Sequence, residues 1–476
     1  MSMKRRDFIR SGVALAAVAS PVRSIAEVLT ERGDLPARML DGGEVLLRAS
    51  SVETLAGNLR GDLLAPADPG YDAARRLWNG MFDRRPALVA RCTGPADVVE
   101  AVNFAREHRL LTAVRCGGHS FSGKSSCDGG IMIDLSTMQG CRVDPAERRA
   151  YLEGGSVLGV LDREAQAFGL AVPAGVISHT GAGGLTLGGG FGRLSRSFGL
   201  SCDNVVSFDV VTAEGRFLKA SETSNPDLYW ALRGGGGNFG VVTAFEYRLY
   251  PVGPMVLAGH VTWPIDQARD VMRLFAELAV GAPDELYLNS VIVTNPDGSG
   301  VLNMEAFWAG DHAAGERAMA TLRSFGKPVK DTVGPVRYTT FQSAGDARSP
   351  HGLNYYAKQG FLTALDGDGI DLILDTVLSH AGRFVVSIDY AGGAIGRVAQ
   401  DATAFPNRDA RFWIGLLGGW PNAAENDERI ARMRAAWKRV EPVTAGFYSN
   451  LDLDRGLEQN RSNYGPNFGR LVDVKT

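Results

Sequence analysis

LRGGGGNFGVVTAF, residues 232–245, contains Gly235-x-Gly237-x-x-Gly240, the spacing of a dinucleotide-binding fingerprint. That fingerprint needs a strand before it and a helix after it, so that a pyrophosphate meets the helix N-terminus. Here the order is reversed. NPDLYWALR (225–233) predicts a short helix in front of the glycines, and VVTAFEYRLYPV (241–252) predicts a long strand behind them. A Rossmann fold is therefore excluded. A P-loop is excluded too, because no Gly-Lys-Ser/Thr follows the run.

Two more glycine runs precede this one: RCGGHSFSG (115–123) and PAGVISHTGAGGLTLGGGFGRLSRSFGLSCDN (173–204). Consecutive backbone N–H groups in such turns form concave anion sites, and glycine lets the backbone approach a ligand closely. Three runs in one region predict a large ligand surrounded by several loops rather than one helix terminus. His119 stands at the lip of the first turn. From the turn alone it could be a base, a ligand, a covalent attachment point or only a loop residue.

The chain of 476 residues is too long for one ordinary core, and two domains are expected. Hydrophobic content of 45% with 22% charged residues is that of a globular protein, and the 59 glycines are clustered rather than periodic, which excludes collagen-like and linker readings. MSMKRRDFIRSGVALAAVASPVRSIA (1–26) has a basic start, a short apolar run and small residues before a plausible cleavage site. With Arg5-Arg6 followed by Asp7-Phe8-Ile9 it resembles a twin-arginine export signal, which predicts a periplasmic or secreted protein with no membrane span in its mature form. That segment carries five basic residues against Asp7, so without it the formal charge moves from −3 to −7. An acidic surface argues against nucleic acid as a partner. The five cysteines (Cys92, Cys116, Cys127, Cys141, Cys202) contain no C-x-x-C pair, so no metal is expected; Cys127 with Cys141 is a conceivable disulfide.

Along the chain, 27–78 reads as a helical and loop lead-in. From 79 to 252 strands and helices mix: ALVARC, then the helix of PADVVEAVNFAREHRL, the strand LTAVRC, and a hairpin around Glu214-Gly215. From 253 to 440 glycine thins, and amphipathic helices alternate with strands such as ELYLNSVIVTN and RFWIGLLGGW. This predicts an antiparallel sheet with helices on one face. A last segment, 441–476, leaves that domain. The expected class is α+β.

RCGGHSFSG, the 173–204 run and NPDLYWALRGGGGNFGVV, in this order and spacing, resemble the berberine bridge enzyme-like FAD oxidases of the vanillyl-alcohol oxidase superfamily. FDRRPALVARCTGPADVVEAV, YSNLDLD and NYGPNFGRLVDVK extend the resemblance over about 79–250 and 447–475. It implies an FAD-binding domain of the PCMH type, built of two α+β subdomains, a substrate domain at 253–440, and a C-terminal segment that returns to the FAD domain. It implies that His119 carries the flavin covalently through the 8α-methyl group. Arg115, Cys116, Gly117, Gly118 and Ser120 would surround the pyrophosphate, and Gly175, Thr180, Gly181, Gly183, Gly184, Gly188, Gly192, Gly237, Gly240, Val242 and Asn450 would line the rest of the cofactor. Many members have a second tether, a cysteine in PAGxC. Here that position is Ile177, which predicts a single tether. Members usually continue beyond RLVDVK with KYDPxNxF, whereas this sequence ends at Thr476.

In this chemistry a hydride moves from a substrate C–H to the flavin while a base takes the proton from the adjacent O–H or N–H. The resemblance points to Tyr448 of the YxN segment as the base or a flavin-face group. Tyr355, Tyr356 and Lys358 in NYYAKQGF form a second candidate group, tyrosine beside a cation that favours its ionised form. Tyr390 is a third candidate, and His179 is a further one. The expected activity is oxidation of a CH–OH group (a sugar or secondary alcohol) or a CH–NH group, with O2 or a periplasmic acceptor re-oxidising the flavin. The alternatives are oxidative cyclisation of an alkaloid-like metabolite and a flavin-binding protein without turnover.

Overall fold

The computed structural model describes residues 33–476 apart from 383, 452, 454 and 455. The export-signal reading falls on residues outside that range. Where a helical lead-in was expected, the chain instead forms a hairpin, Leu35–Arg38 with Glu44–Leu47, then a helix, Ala49–Asn58, and a short strand, Asp62–Leu64. The glycines at 42 and 43 close that hairpin, with Gly42 at φ +90°. The disulfide expectation also fails: all five cysteines are free, and burial raises the pKa of Cys127 to about 11.

The first subdomain is a four-stranded sheet in the order Asp62–Leu64, Leu88–Arg91, Ile131–Asp134, Thr112–Arg115. Its last three strands are parallel, and the helix Pro95–Glu107 makes the crossover. Leu88, Val89, Ala90, Ile131, Met132 and Ile133 are all buried, as a strand covered on both faces requires. The second subdomain is an antiparallel sheet in the order Phe217–Ser221, Val205–Val211, Val241–Arg248, Arg149–Glu153, Cys141–Asp144.

The third unit is a single large antiparallel sheet running from Met255–Pro264 through Gly300–Trp308, Leu286–Thr294, Val385–Tyr390 and Phe412–Trp420 to Asn354–Leu362. Helices Ala268–Gly281, His312–Ser324, Gly367–Ser379 and Asn426–Val440 cover one face, where Val261, Leu288, Met304, Ile388 and Ile414 form the core. The other face turns toward the FAD-type subdomains. The C-terminal helices Leu457–Tyr464 and Asn467–Lys475 leave this sheet and pack beside Trp230 and Ala231 of the second subdomain.

Candidate active site

The site begins where the strand Thr112–Arg115 ends. Arg115 is held by Asp134, whose carboxylate accepts from its Nη1 at 3.1 Å. The chain then turns through Gly117 and Gly118, the latter at φ +67°. A Cβ on Gly117 would collide with the backbone of Gly181, so the first and second glycine runs lie backbone against backbone. Among the described residues, no backbone carbonyl accepts from the N–H groups of residues 117–122. The Gly117 N–H meets the Cys116 sulfur, and the following N–H groups form the kind of run that binds anions. The Cys116 thiol is buried below it and kept protonated by that burial.

His119 lies flat on Trp78 (ring centroids 4.4 Å apart, 17° between planes), and Trp78 lies on Tyr355 of the large sheet (3.8 Å, 11°). Asn79 ties these layers together: its Nδ2 donates to the Phe121 carbonyl at 2.8 Å and the Tyr355 carbonyl at 2.9 Å. Nε2 of His119 is 2.7 Å from Nδ1 of His179, and His351 closes the group, with ring nitrogens of all three within 4.8 Å of one another. Burial, then the neighbouring His179 and His351, lower the His119 pKa to about 3, so its imidazole is neutral. Two nitrogens about 2.1 Å from one tetrahedral metal ion stand roughly 3.4 Å apart; the 2.7 Å contact is that of a hydrogen bond.

The other end of the site is Tyr448. Its hydroxyl oxygen accepts from the Gly190 N–H at 3.1 Å and from Asn450 Nδ2 at 2.8 Å. Gln359 clamps its backbone in both directions, at 2.8 and 2.9 Å, and Trp413 Nε1 donates to the same Gln359. Burial raises the Tyr448 pKa to about 12 despite the hydrogen bonds it accepts. Asn450 also donates to the Leu185 carbonyl, and a Cβ on Gly188 would strike its amide.

Between these ends, the glycines divide into two kinds. Gly175, Gly181, Gly183, Gly192 and Gly240 are spaces that neighbouring protein atoms require; a Cβ on Gly192, for instance, would strike the Ala174 carbonyl. Gly184 and Gly237 face open space, with nothing within 4 Å. Thr180 closes a turn onto the Ile177 carbonyl, Val242 is paired in the second subdomain's sheet, and Ile177 abuts Gly345 of the third unit. Contacts thus join a strip of the chain: Gly117 meets Gly181 of the second glycine run, and Gly188 and Gly190 of that run meet Asn450 and Tyr448.

Tyr356 and Lys358 do not belong to that strip. Tyr356 lies in the helix-covered core, where Arg434 Nε donates to its hydroxyl at 3.0 Å, and Lys358 sits over the same ring. Side chains alternate across a strand, so their neighbours Tyr355 and Gln359 are the ones that face the site. Both catalytic assignments are withdrawn for this reason. Tyr390 likewise faces the helices.

The face of the large sheet opposite its helices carries a polar band beside the apolar cluster of Val256, Ala258, Tyr287 and Phe307. One cross-strand row reads His260, Glu305, Asn289, Asp389, Trp413, and the next reads Thr262, Asn303, Val291, Ser387, Gly415, Gln359. Residues in register share a face. Arg193, from the second glycine run, meets this face as a buried fork on Glu305 (2.7 and 3.2 Å), with Nη1 on Gln342. Burial opposes the Glu305 charge, but Arg193 and the His260 contact hold its pKa at about 2. Asp389 accepts a hydrogen bond from Tyr287, and burial raises its pKa to about 7. Trp78, Asn79, His351, Glu305 and Asp389 were not identified from the sequence.

The model for an FAD binding domain matches residues 86–221. An FAD-linked oxidoreductase of Dictyostelium discoideum is 34% identical over 84% of this chain and 88% of its own. The chain belongs to the berberine bridge enzyme-like FAD-linked oxidoreductases. (R)-6-hydroxynicotine oxidase of Paenarthrobacter nicotinovorans is also 34% identical, over 88% of this chain and 94% of its own. The solved 6-hydroxy-D-nicotine oxidase of Arthrobacter nicotinovorans superposes with a TM-score of 0.78 at 28% identity, covering 88% and 94% of the two chains. Berberine bridge enzyme from Eschscholzia californica shares the fold, with a TM-score of 0.80 at 22% identity over 90% and 95%. The protein is thus an FAD-dependent oxidoreductase. Its own residues fit that cofactor: N–H groups at 118–122 with no backbone carbonyl partner, open glycine faces at Gly184 and Gly237, and the neutral imidazole of His119.

Proposed function

We propose that this oxidoreductase carries its FAD bonded to His119 and oxidises a CH–OH group of a small, hydroxyl-bearing molecule. One observation carries the tether. His119 is a neutral imidazole pinned between Trp78 and His179 beside the Gly117–Gly118 turn, so its nucleophilic lone pair is held in a fixed orientation. When bound, the flavin accepts a hydride from the substrate carbon. The residues of the chain do the rest. The turn 117–122 and the segment around Gly184–Gly190 would hold the cofactor, and the polar part of the sheet face would hold the substrate.

That face favours an alcohol. Thr262 donates to Asn303 and Asn289 donates to Ser387, two neutral hydrogen-bonded pairs in adjacent rows whose remaining donors and acceptors suit hydroxyl groups better than a cation. The base assigned is Asp389, whose pKa of about 7 lies in the range a general base needs, whereas Tyr448 at about 12 holds its proton. Tyr448 is then a flavin-face positioning group. The twin-arginine-like start supports a periplasmic or secreted protein, in which dioxygen or another acceptor would re-oxidise the flavin.

The test is a denaturing gel scanned for flavin fluorescence, followed by stopped-flow reduction with a panel of alcohols and amines. The expected result is a fluorescent parent band, none for His119→Ala, and reduction by alcohols. A parent whose flavin is lost on denaturation rules out the tether. Reduction by amines alone rules out the alcohol assignment.

A further inference from the structure

Three of the chain's seven histidines meet at one point. They come from three loops: His119 after the strand Thr112–Arg115, His179 from the second glycine run, and His351 from the third unit. A tether needs only one of them. The second is fixed as firmly as the first. Ser178, beside His179, donates its N–H to Asp346 Oδ1 at 2.8 Å, and Gly352, beside His351, donates to the Trp78 carbonyl at 3.0 Å. Exposure increases along the series: His119 and His179 are partly buried and His351 is exposed.

The hydrogen bond fits either pair of tautomers, and attachment through Nδ1 of His119 selects one of them. With His179 Nδ1 as acceptor, the His119 proton sits on Nε2, and Nδ1 is left with the lone pair. An imidazole nitrogen that attacks a carbon becomes cationic unless its other nitrogen releases a proton. This pocket disfavours that cation, as the depressed His119 basicity shows. The proton must leave as the bond forms, and its only close acceptor among the described residues is His179.

We propose that His179 accepts the Nε2 proton of His119 as the flavin tether forms on Nδ1, and that His351 passes it to solvent. This rests on the tether reading above. The bond joins Nδ1 to the flavin 8α carbon. One hydrogen leaves that methyl group and one leaves His119. The two electrons released pass to the flavin ring and from there to dioxygen, which becomes hydrogen peroxide. His179 is therefore a positioning and proton-accepting residue for attachment. It is not assigned a part in substrate oxidation.

The experiment compares the parent with His179→Gln, His179→Ala and His351→Gln. Gln at 179 can keep a hydrogen bond but is not basic, so it separates packing from proton transfer. Each protein is purified with its FAD, and the share of flavin that stays with the denatured chain is followed over time in air. The expected result is FAD binding by all variants with tether formation slowed by roughly 100-fold or more in both 179 variants. Added imidazole restores the rate in His179→Ala, and His351→Gln shows a smaller delay. Tether formation in His179→Gln at the parental rate would overturn the relay while leaving the tether itself intact. A parent without covalent flavin would instead remove the tether reading, and the relay with it.

Discussion

Asp389 shows how much of this site turns on a single buried carboxylate. Its folded pKa is raised from 3.8 to about 7 by burial, while the unfolded chain keeps the ordinary value. Between those pH values the native state binds a proton that the unfolded state has lost. Stability is therefore full below about pH 4 and falls as pH rises toward 7. Asp389→Asn should remove its share of that fall, read by thermal unfolding at pH 4.5 and 7.5, while the buried Asp162, also raised to about 7, keeps its own. The same variant should lower the rate of flavin reduction by roughly 100-fold or more if Asp389 is the base. A variant that reduces its flavin as fast as the parent would return the base to another group. Tyr448→Phe acts differently. It strands the Gly190 N–H and the Asn450 amide, so it should cost about 1–3 kcal/mol of stability in chemical denaturation, with a modest loss of rate.

At the scale of the loop and the strand, the structure separates glycines that make room for protein from glycines that make room for a ligand. Gly192→Ala must displace the Ala174 carbonyl and should destabilise the fold even without cofactor. Gly184 and Gly237 meet nothing within 4 Å, and neither needs a left-handed backbone. Alanine there should leave the melting temperature of the flavin-free protein unchanged or slightly higher while weakening FAD binding, read by fluorescence titration. Unchanged affinity in both variants would place the cofactor elsewhere. This element scale is also where sequence reading succeeded and where it stopped. The turn at Cys116–His119 was legible because its glycines and histidine are local and their N–H groups demand a partner. NYYAKQGF was not. Its residues are buried on both faces except for Lys358, so no polar–apolar alternation reveals the strand's parity. A shift of one residue exchanges Tyr355 for Tyr356 and Gln359 for Lys358. Trp78, His351 and Asp389 had no local signal at all; only the tertiary fold brings Trp78 against Ser349, 271 residues away.

Across the whole molecule, buried charges fasten the FAD-binding part to the large sheet. Arg193 forks onto Glu305. Arg196 donates to the Leu286 and Ala391 carbonyls at 2.8 and 2.7 Å, and Arg408 forks onto Asp203 at 2.8 and 2.7 Å. These groups lie between the parts, with Arg193, Arg196 and Arg408 each 5% exposed or less. The parts should therefore unfold together, as one calorimetric transition, although the chain is long enough for two. Glu305→Gln tests this coupling. It leaves the Arg193 cation buried beside neutral amides and should cost about 3–5 kcal/mol. Replacing both partners, Arg193→Met with Glu305→Leu, removes the stranded charge and should recover most of that loss, because an apolar pair of similar volume often matches a buried ion pair. If the single and double variants melt together, the pair contributes no coupling. If Glu305→Gln instead splits the melt into two transitions, Glu305 and Arg193 are the contact that makes one cooperative unit of the two parts.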